Sequence, residues 1–192
     1  MGDWKEIGEV TLLQIQTGEM TAAGSYDTTM LIPVDSLRLN SDGVFGHANG
    51  AWVVDRHHRH HQAAKYWHSE DVLSFGFTSH YRHMWDLFRP TPLGIAGENV
   101  IVVANEMVEP AEIAGGIRIE TAKGGIDLTH PTFLEPCVEF TRFMTSRPDA
   151  SAREVKPDRE KLRKGVRGFA AGIDESEAVE IGTGDAVSIR TA

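Results

Sequence analysis

The fold is decided by the stretch from residue 116 to residue 137, which reads GIRIETAKGGIDLTHPTFLEPC. Its first part alternates apolar and polar side chains, so that Ile117 and Ile119 share one face. After two glycines the alternation resumes with Ile126 and Leu128. A period of two is the pattern of a half-buried β-strand. We therefore predict two short strands here, followed by a proline and the single cysteine of the chain.

Other short segments have the same character, and turn residues separate them. We predict strands at residues 10–16, 29–32, 36–39, 99–103 and 186–190. Many short strands broken by Gly, Pro, Asn and Asp indicate a sandwich or a barrel. Helices are predicted at about residues 62–75, 138–145 and 158–164, and the polar stretch 146–165 is predicted to be a flexible loop.

Composition and charge exclude several classes of protein. The 192 residues suit one domain, and 41% hydrophobic and 24% charged residues are ordinary for a soluble globular protein. A net charge of -9 argues against a general nucleic-acid binder, which needs a basic face. Neither a secretory signal nor an apolar run of about 18 residues is found, so we expect no membrane partner. One cysteine rules out an internal disulfide and fits a reducing, cytoplasmic location.

Cys137 is the most informative single residue. A lone cysteine is either a small buried hydrophobe or a working thiol. Pro136, which precedes it, has a fixed backbone angle and no N–H group, and therefore suits the exit of a strand. Such an exit would present the next side chain to a cleft.

A histidine cluster covers residues 57–61, where Arg59 stands between two pairs of histidines. Imidazoles at helical spacing can bind zinc or nickel, but the flanking arginines would repel a cation. The same residues could instead contact a phosphate or another oxyanion. A second basic region, residues 147–167, carries eight Lys or Arg and four Asp or Glu. It is either a solvated surface or a region that attracts an anionic ligand.

Four motifs taken in order resemble the MOSC domain, a module related to the C-terminal part of molybdenum cofactor sulfurases. Residues 94–99 look like its Gly-Glu-Asn turn, and residues 125–137 are similar to its strand leading into Pro-Cys. Residues 164–171 and 179–187 resemble its closing hairpin, which ends in Gly-Asp. A weaker element at residues 42–47 ends in His47. The match is clearest over residues 93–189.

The resemblance implies a mainly β fold, a MOSC-type β-barrel with a few peripheral α-helices, formed by residues 1–192 as a single domain. It implies that Cys137 either ligates the molybdenum of a pterin cofactor (molybdopterin) or carries sulfur as a persulfide. His47, Glu98, Asn99 and Arg167 would then contact the cofactor. The chain would be a molybdenum-dependent oxidoreductase or a sulfur transferase. Some stand-alone relatives reduce N-hydroxylated compounds, so a small-molecule substrate and a redox partner protein are expected.

Two positions depart from the family pattern. Glu135 stands where the family often has an arginine, and Phe45-Gly46 replace the usual Gly-Asp before the upstream histidine. A carboxylate beside a thiol disfavours the thiolate. Glu135 therefore favours an alternative function, a non-catalytic binding module on the same barrel. A metalloprotein built on the histidine cluster is the third hypothesis.

Overall fold

The structure is a computed structural model that describes residues 3–21, 24–62, 67–122 and 124–191. Its strands are β1 (Trp4–Gln16), β2 (Leu31–Pro33), β3 (Ser36–Asn40), β4 (Gly43–Ala48), β5 (Ala51–Val54), β6 (Leu73–Phe77), β7 (Val100–Val102), β8 (Ile117–Thr121), β9 (Gly124–Phe133), β10 (Phe169–Ile173), β11 (Val179–Gly182) and β12 (Ala186–Arg190). Its helices are α1 (Thr78–Leu87), α2 (Pro110–Ile113), α3 (Val138–Met144) and α4 (Lys156–Lys161), with a 3-10 turn at Thr28–Met30. None of these helices has the length and apolar character needed to cross a membrane.

Seven of these strands form a closed barrel. Around the barrel the order is β12, β8, β9, β10, β6, β7 and β1, and β1 pairs with β12 to close it. The pairing of β6 with β7 is parallel, and the other barrel pairings of the described strands are antiparallel. A four-stranded sheet, β11-β3-β4-β5, lies beside the barrel. The predicted mainly β barrel with a few helices is thus confirmed.

Two apolar clusters make up the core. Alternate residues of β7 separate them: Val100 and Val102 belong to the barrel cluster, whereas Ile101 packs under the helices with Tyr81 and Phe140. Because both faces of β7 are buried, its sequence is a continuous β-branched run instead of an alternating one. Helices α1 and α3 therefore cover one wall of the barrel.

The strands predicted at residues 10–16, 36–39, 99–103 and 186–190 agree with the structure, and so does the helix that follows the cysteine. The strand predicted at residues 29–32 is right only in its second half, because Thr28–Met30 is a 3-10 turn and β2 begins at Leu31. The helix predicted at residues 62–75 is wrong: Leu73–Phe77 is strand β6, residues 67–72 form no helix, and residues 63–66 lie outside the described residues. The alanine and aromatic residues of the segment 62–75 are spaced in the sequence like one face of a helix, which led to the wrong prediction. The helix predicted at residues 158–164 overlaps α4, which spans Lys156–Lys161. The rest of the polar stretch 146–165 is less loop-like than predicted, because Val155 and Leu162 are fully buried and anchor it. Helix α1 was not predicted.

Candidate functional site

A cavity of about 420 Å³ opens where the end of β1, the turn before β7 and the segment between β9 and α3 meet. Its lining combines cationic, acidic, aromatic and thiol groups. The lining residues are Gln16, Glu19, Met20, Thr21, Tyr26, Arg56, His57, Trp67, His68, Asp71, Val72, Ser74, Ala96, Gly97, Asn99, Leu134, Cys137, Arg167 and Ala170. The cavity therefore collects residues from widely separated parts of the chain.

Cys137 lies in this cavity and is half-buried. Strand β9 ends at Phe133, and Cys137 is the N-cap residue of α3. Its Sγ accepts a hydrogen bond from the N–H of Phe140 at 3.3 Å. The Oγ1 of Thr141 donates to the carbonyl oxygen of Cys137 at 2.8 Å and fixes the backbone there. The sulfur is thus held in a defined position and still faces the cavity.

Arg167 reaches the cavity from the turn between α4 and β10. Its Nη2 donates to the carbonyl oxygen of Ala96 at 3.0 Å, and its guanidinium lies 5.7 Å from the ring centre of Phe140. Its Nε is buried, and no hydrogen bond from the described residues reaches it. An unpaired buried donor on a cationic group is costly, and an anionic ligand would relieve that cost.

The Gly-Glu-Asn turn at residues 94–99 is a rigid wall beside Arg167. Gly94 and Gly97 adopt positive φ angles of 76° and 96°, which favour glycine. The Nε2 of Gln14 donates to the carbonyl oxygens of Gly94 and Glu98, both at 2.7 Å. One amide thereby clamps both ends of the turn.

Glu98 lies behind the cavity wall and is not among the lining residues. Its side chain is buried, and its Oε2 accepts a hydrogen bond from the hydroxyl of Tyr81 at 2.8 Å. Gly76 and Gly168 leave room for it, since a Cβ on either would come within 3.2 Å of Oε1. Burial raises the pKa of Glu98 to about 7, although the charge of Arg167 opposes this shift. The carboxyl therefore stands close to its midpoint at neutral pH.

Asn99 faces the cavity, but its side-chain hydrogen bonds are made to the protein. Its Oδ1 accepts from the Oγ of Ser74 at 2.9 Å and from the N–H of Ser74 at 3.1 Å. Its Nδ2 donates to the carboxylate of Asp55 at 3.0 Å and to the carbonyl oxygen of Gln14 at 3.3 Å. Both donors of the amide are thus occupied. Asn99 ties β6, β1 and Asp55 together.

The histidine cluster does not act as one group. His57 lines the cavity and pairs with the buried Asp55, whereas His58 is buried against Phe45 and burial lowers its pKa. His60 points to Asp42 on the surface. Within the described residues, no group of three or more His, Cys, Asp or Glu side chains is arranged to hold a metal ion. The geometry gives no support to the metalloprotein hypothesis.

Among the residues predicted to contact a cofactor, Asn99 and Arg167 line the cavity with Cys137. His47 does not: it lies on β4 in the four-stranded sheet, with its ring 5.1 Å from that of Trp52. In the sequence, the absence of the family's Gly-Asp before His47 already indicated a departure from the family pattern at this position.

Tyr26 is a cavity residue that sequence reasoning missed. Its hydroxyl donates to the carbonyl oxygen of Ile95 at 3.0 Å, and burial raises its pKa. It stands in a loop without any motif, so no signal in the sequence pointed to it.

Comparison with known proteins finds solved structures that are similar in fold to this chain. No protein-family model matches the chain, and no curated protein sequence matches it. The YuaD protein from Bacillus subtilis is similar over 99% of this chain and 100% of its own, with a TM-score of 0.63 and 15% identity. YiiM from Escherichia coli is similar over 96% of this chain and 70% of its own, with a TM-score of 0.51 and 13% identity. Both are MOSC-fold proteins, and identities this low show the fold alone. The chain has a MOSC-like barrel fold.

Proposed function

We propose that this chain is a MOSC-family protein whose cavity binds a molybdenum-pterin cofactor, with Cys137 as the protein ligand of the metal. One observation carries the proposal: the thiol of Cys137 and the guanidinium of Arg167 share one cavity although 29 intervening residues separate them along the chain. The buried Nε of Arg167 has no hydrogen-bond partner among the described residues. A region that only packed the fold together would not need a half-buried thiol in a cavity beside a cation with an unpaired buried donor.

The residues of the cavity suit such a cofactor. A thiolate is a soft ligand that suits a heavy transition metal. The cofactor carries a phosphate, and Arg167, Arg56 and His68 can supply charge-assisted hydrogen bonds to it. Glu19 and Asp71 lie at the same cavity and would face the more neutral parts of the ligand.

When bound, the cofactor would supply two-electron redox chemistry at its molybdenum, which the thiolate of Cys137 would hold. Reduction of a small N-hydroxylated compound is the reaction we propose, with a protein as the source of electrons. The residues of this chain would bind and orient the cofactor and substrate. The Gly-Glu-Asn turn would keep that wall rigid, and Asn99 would anchor it to Asp55. A reducing, cytoplasmic location would keep the thiol available.

The second candidate function is a sulfur carrier that uses Cys137 as a persulfide. The half-buried sulfur, which faces an open cavity, favours it. The binding-module hypothesis loses its main argument, since Glu135 is paired with Arg163.

The first experiment is elemental analysis of the protein made in cells supplied with molybdate. We expect about one molybdenum per chain in the wild type and a loss in Cys137→Ser. His60→Gln is the control variant, because His60 is exposed and outside the cavity lining, and it should keep the metal. Molybdenum absent from the wild type would reject the proposal. Persulfide detected on Cys137 in that case would favour the sulfur carrier.

Arg167→Lys tests the anion contact. Lysine keeps the charge and lacks the planar fork, so we expect molybdenum content to fall severalfold. Arg153→Lys is the matched control, since Arg153 is exposed and does not line the cavity. Equal metal content in both variants would show that Arg167 is not a contact.

A further inference from the structure

Asp55 is a buried carboxylate with an unusual number of donors around it. It is fully buried, and its two oxygens accept four hydrogen bonds. The donors are the backbone N–H of Gln16 at 2.7 Å, the backbone N–H of His57 at 2.8 Å, the Nδ2 of Asn99 at 3.0 Å and the Nδ1 of His57 at 3.2 Å. Burial opposes ionisation, but the hydrogen bonds, led by that from His57, outweigh it and lower the pKa of Asp55. The group is therefore a carboxylate at neutral pH.

An ionised carboxylate can only accept hydrogen bonds. The Nδ1 of His57 must therefore carry a proton and donate it to Oδ1 of Asp55. In neutral His57 this fixes the tautomer and leaves Nε2 as the nitrogen without a proton. The side chain of His57 is 51% exposed and lines the same cavity as Cys137. A buried carboxylate thus orients an accessible imidazole at the wall of the candidate site.

The same contacts give Asn99 a role. Its Nδ2 donates to Oδ2 of Asp55, while Ser74 fixes its Oδ1. The chain of contacts therefore runs from Ser74 through Asn99 and Asp55 to His57. Because both amide donors of Asn99 are occupied, Asn99 acts on a ligand through Asp55 and His57 and not by direct donation.

We propose that His57 is the proton donor for the reaction in this cavity, and that Asp55 and Asn99 are its positioning residues. This inference rests on the proposed function. In the reduction of an N-hydroxylated compound the N–O bond breaks, two electrons come from a reduced donor, and two protons are consumed. Nε2–H of protonated His57 gives one proton to the departing oxygen, which leaves as water. Solvent supplies the second proton and reprotonates Nε2.

Other groups at the cavity suit this role less well. His68 lines the cavity but is not paired with Asp55. Tyr26 holds its proton too tightly, because burial raises its pKa, and its hydroxyl already donates to Ile95. Arg56 and Arg167 carry guanidinium groups, which act as fixed charges and not as proton donors.

The test uses molybdenum-loaded full-length protein, benzamidoxime as substrate and reduced methyl viologen as electron donor. We expect His57→Gln to keep its molybdenum and its KM within about threefold, and to lose kcat by about 100-fold or more, the usual share of a general acid. His57→Ala should lose as much, and added imidazole should restore part of its rate. His60→Gln should behave as wild type. A kcat for His57→Gln within about threefold of wild type, or no rescue by imidazole, would overturn the assignment.

A second readout does not need the metal. Nitrogen-15 NMR of the histidines, with His57→Gln to assign the signal, reports which ring nitrogen holds the proton in neutral His57. We expect the Nδ1–H form in the wild type and a shift toward Nε2–H in Asp55→Asn. An Nε2–H form in the wild type would overturn the Asp55–His57 pairing. If the wild-type protein has neither molybdenum nor reductase activity, the proposed function and the reaction assigned to His57 are both rejected. The NMR result tests the Asp55–His57 pairing independently of that outcome.

Discussion

Arg163 holds Glu135 with two parallel hydrogen bonds: Nε donates to Oε2 at 2.8 Å, and Nη2 donates to Oε1 at 2.7 Å. Glu135 stands two residues before Cys137, where the sequence suggested a charge that would suppress the thiolate. The hydrogen bond from Arg163 is the main cause that lowers the pKa of Glu135. The negative charge near the thiol is thus compensated by a positive one from the segment after α4.

Removal of Arg163 should make the thiol less reactive. We expect Arg163→Ala to slow the alkylation of Cys137 by iodoacetamide at neutral pH on the order of threefold, because it leaves an uncompensated carboxylate nearby. Glu135→Ala, the control, should change the rate less than about twofold, and the double variant should return toward the wild-type rate. The rate is followed by mass spectrometry, and no difference between wild type and Arg163→Ala would contradict the prediction.

Glu98 should make the protein less stable as the pH rises. Its folded pKa of about 7 lies above the ordinary value of 4.5, so its stabilising effect is complete below about pH 4.5 and is lost as the pH rises to about 7. Over that window the contribution is on the order of 3 kcal/mol. Glu98→Gln should remove this loss, and urea unfolding of both proteins between pH 4 and 8 would measure it. If the free energy of unfolding changed with pH in the same way for Glu98→Gln and wild type, the assignment of Glu98 as a buried carboxyl with a raised pKa would be contradicted.

His80 should have the opposite effect in nearly the same window. Burial lowers its pKa from 6.5 to about 4, and its Nε2 contacts the backbone of Val108. The stabilising effect of neutral His80 is present above about pH 6.5 and is lost as the pH falls to about 4, again on the order of 3 kcal/mol. NMR should show an imidazole of His80 that stays neutral down to about pH 5. Titration of His80 near pH 6.5 would disprove this prediction. Because Glu98 and His80 change the stability in opposite directions, the free energy of unfolding of Glu98→Gln must be compared with that of wild type at each pH.

Gly168 should resist substitution. Its φ is +128°, and an added Cβ would meet the carbonyl oxygen of Phe75 at 3.0 Å and the side chain of Glu98 at 3.2 Å. We expect Gly168→Ala to lower the free energy of unfolding by about 2 kcal/mol. Gly182→Ala is the matched control: it lies in β11, and a Cβ there would meet nothing within 4 Å. Thermal unfolding would measure the stability of both variants. An equal loss of unfolding free energy in Gly168→Ala and Gly182→Ala would reject the steric argument.

The fold could be predicted because alternation and turn residues are local signals. Ile117 with Ile119 and Ile126 with Leu128 marked β8 and β9 correctly. Strand β6 was mistaken for the end of a helix, because tertiary pairing with β7 and β10 decides its conformation. Helix α1 was not predicted because its buried face includes the polar residues Ser79 and His80, which interrupt the helical periodicity of apolar residues.

Site prediction was limited by a different cause. Cys137 and Arg167 carried motifs, whereas the partners that position the site are defined only in three dimensions. Asp55 was noted only as the residue before a histidine cluster, and its link to Asn99 across 44 residues had no counterpart in the sequence pattern. The exposure of His57 and the burial of His58, its neighbour, likewise follow from contacts and not from residue type.

The pairing of β1 with β12 joins segments about 180 residues apart, with Trp4 opposite Arg190. Such a long-range contact carries a loop-closure entropy, so we expect the barrel wall to be sealed near the end of folding. Until then both strands are open edges that can pair with another molecule. We therefore expect slow refolding, with aggregation that increases with protein concentration.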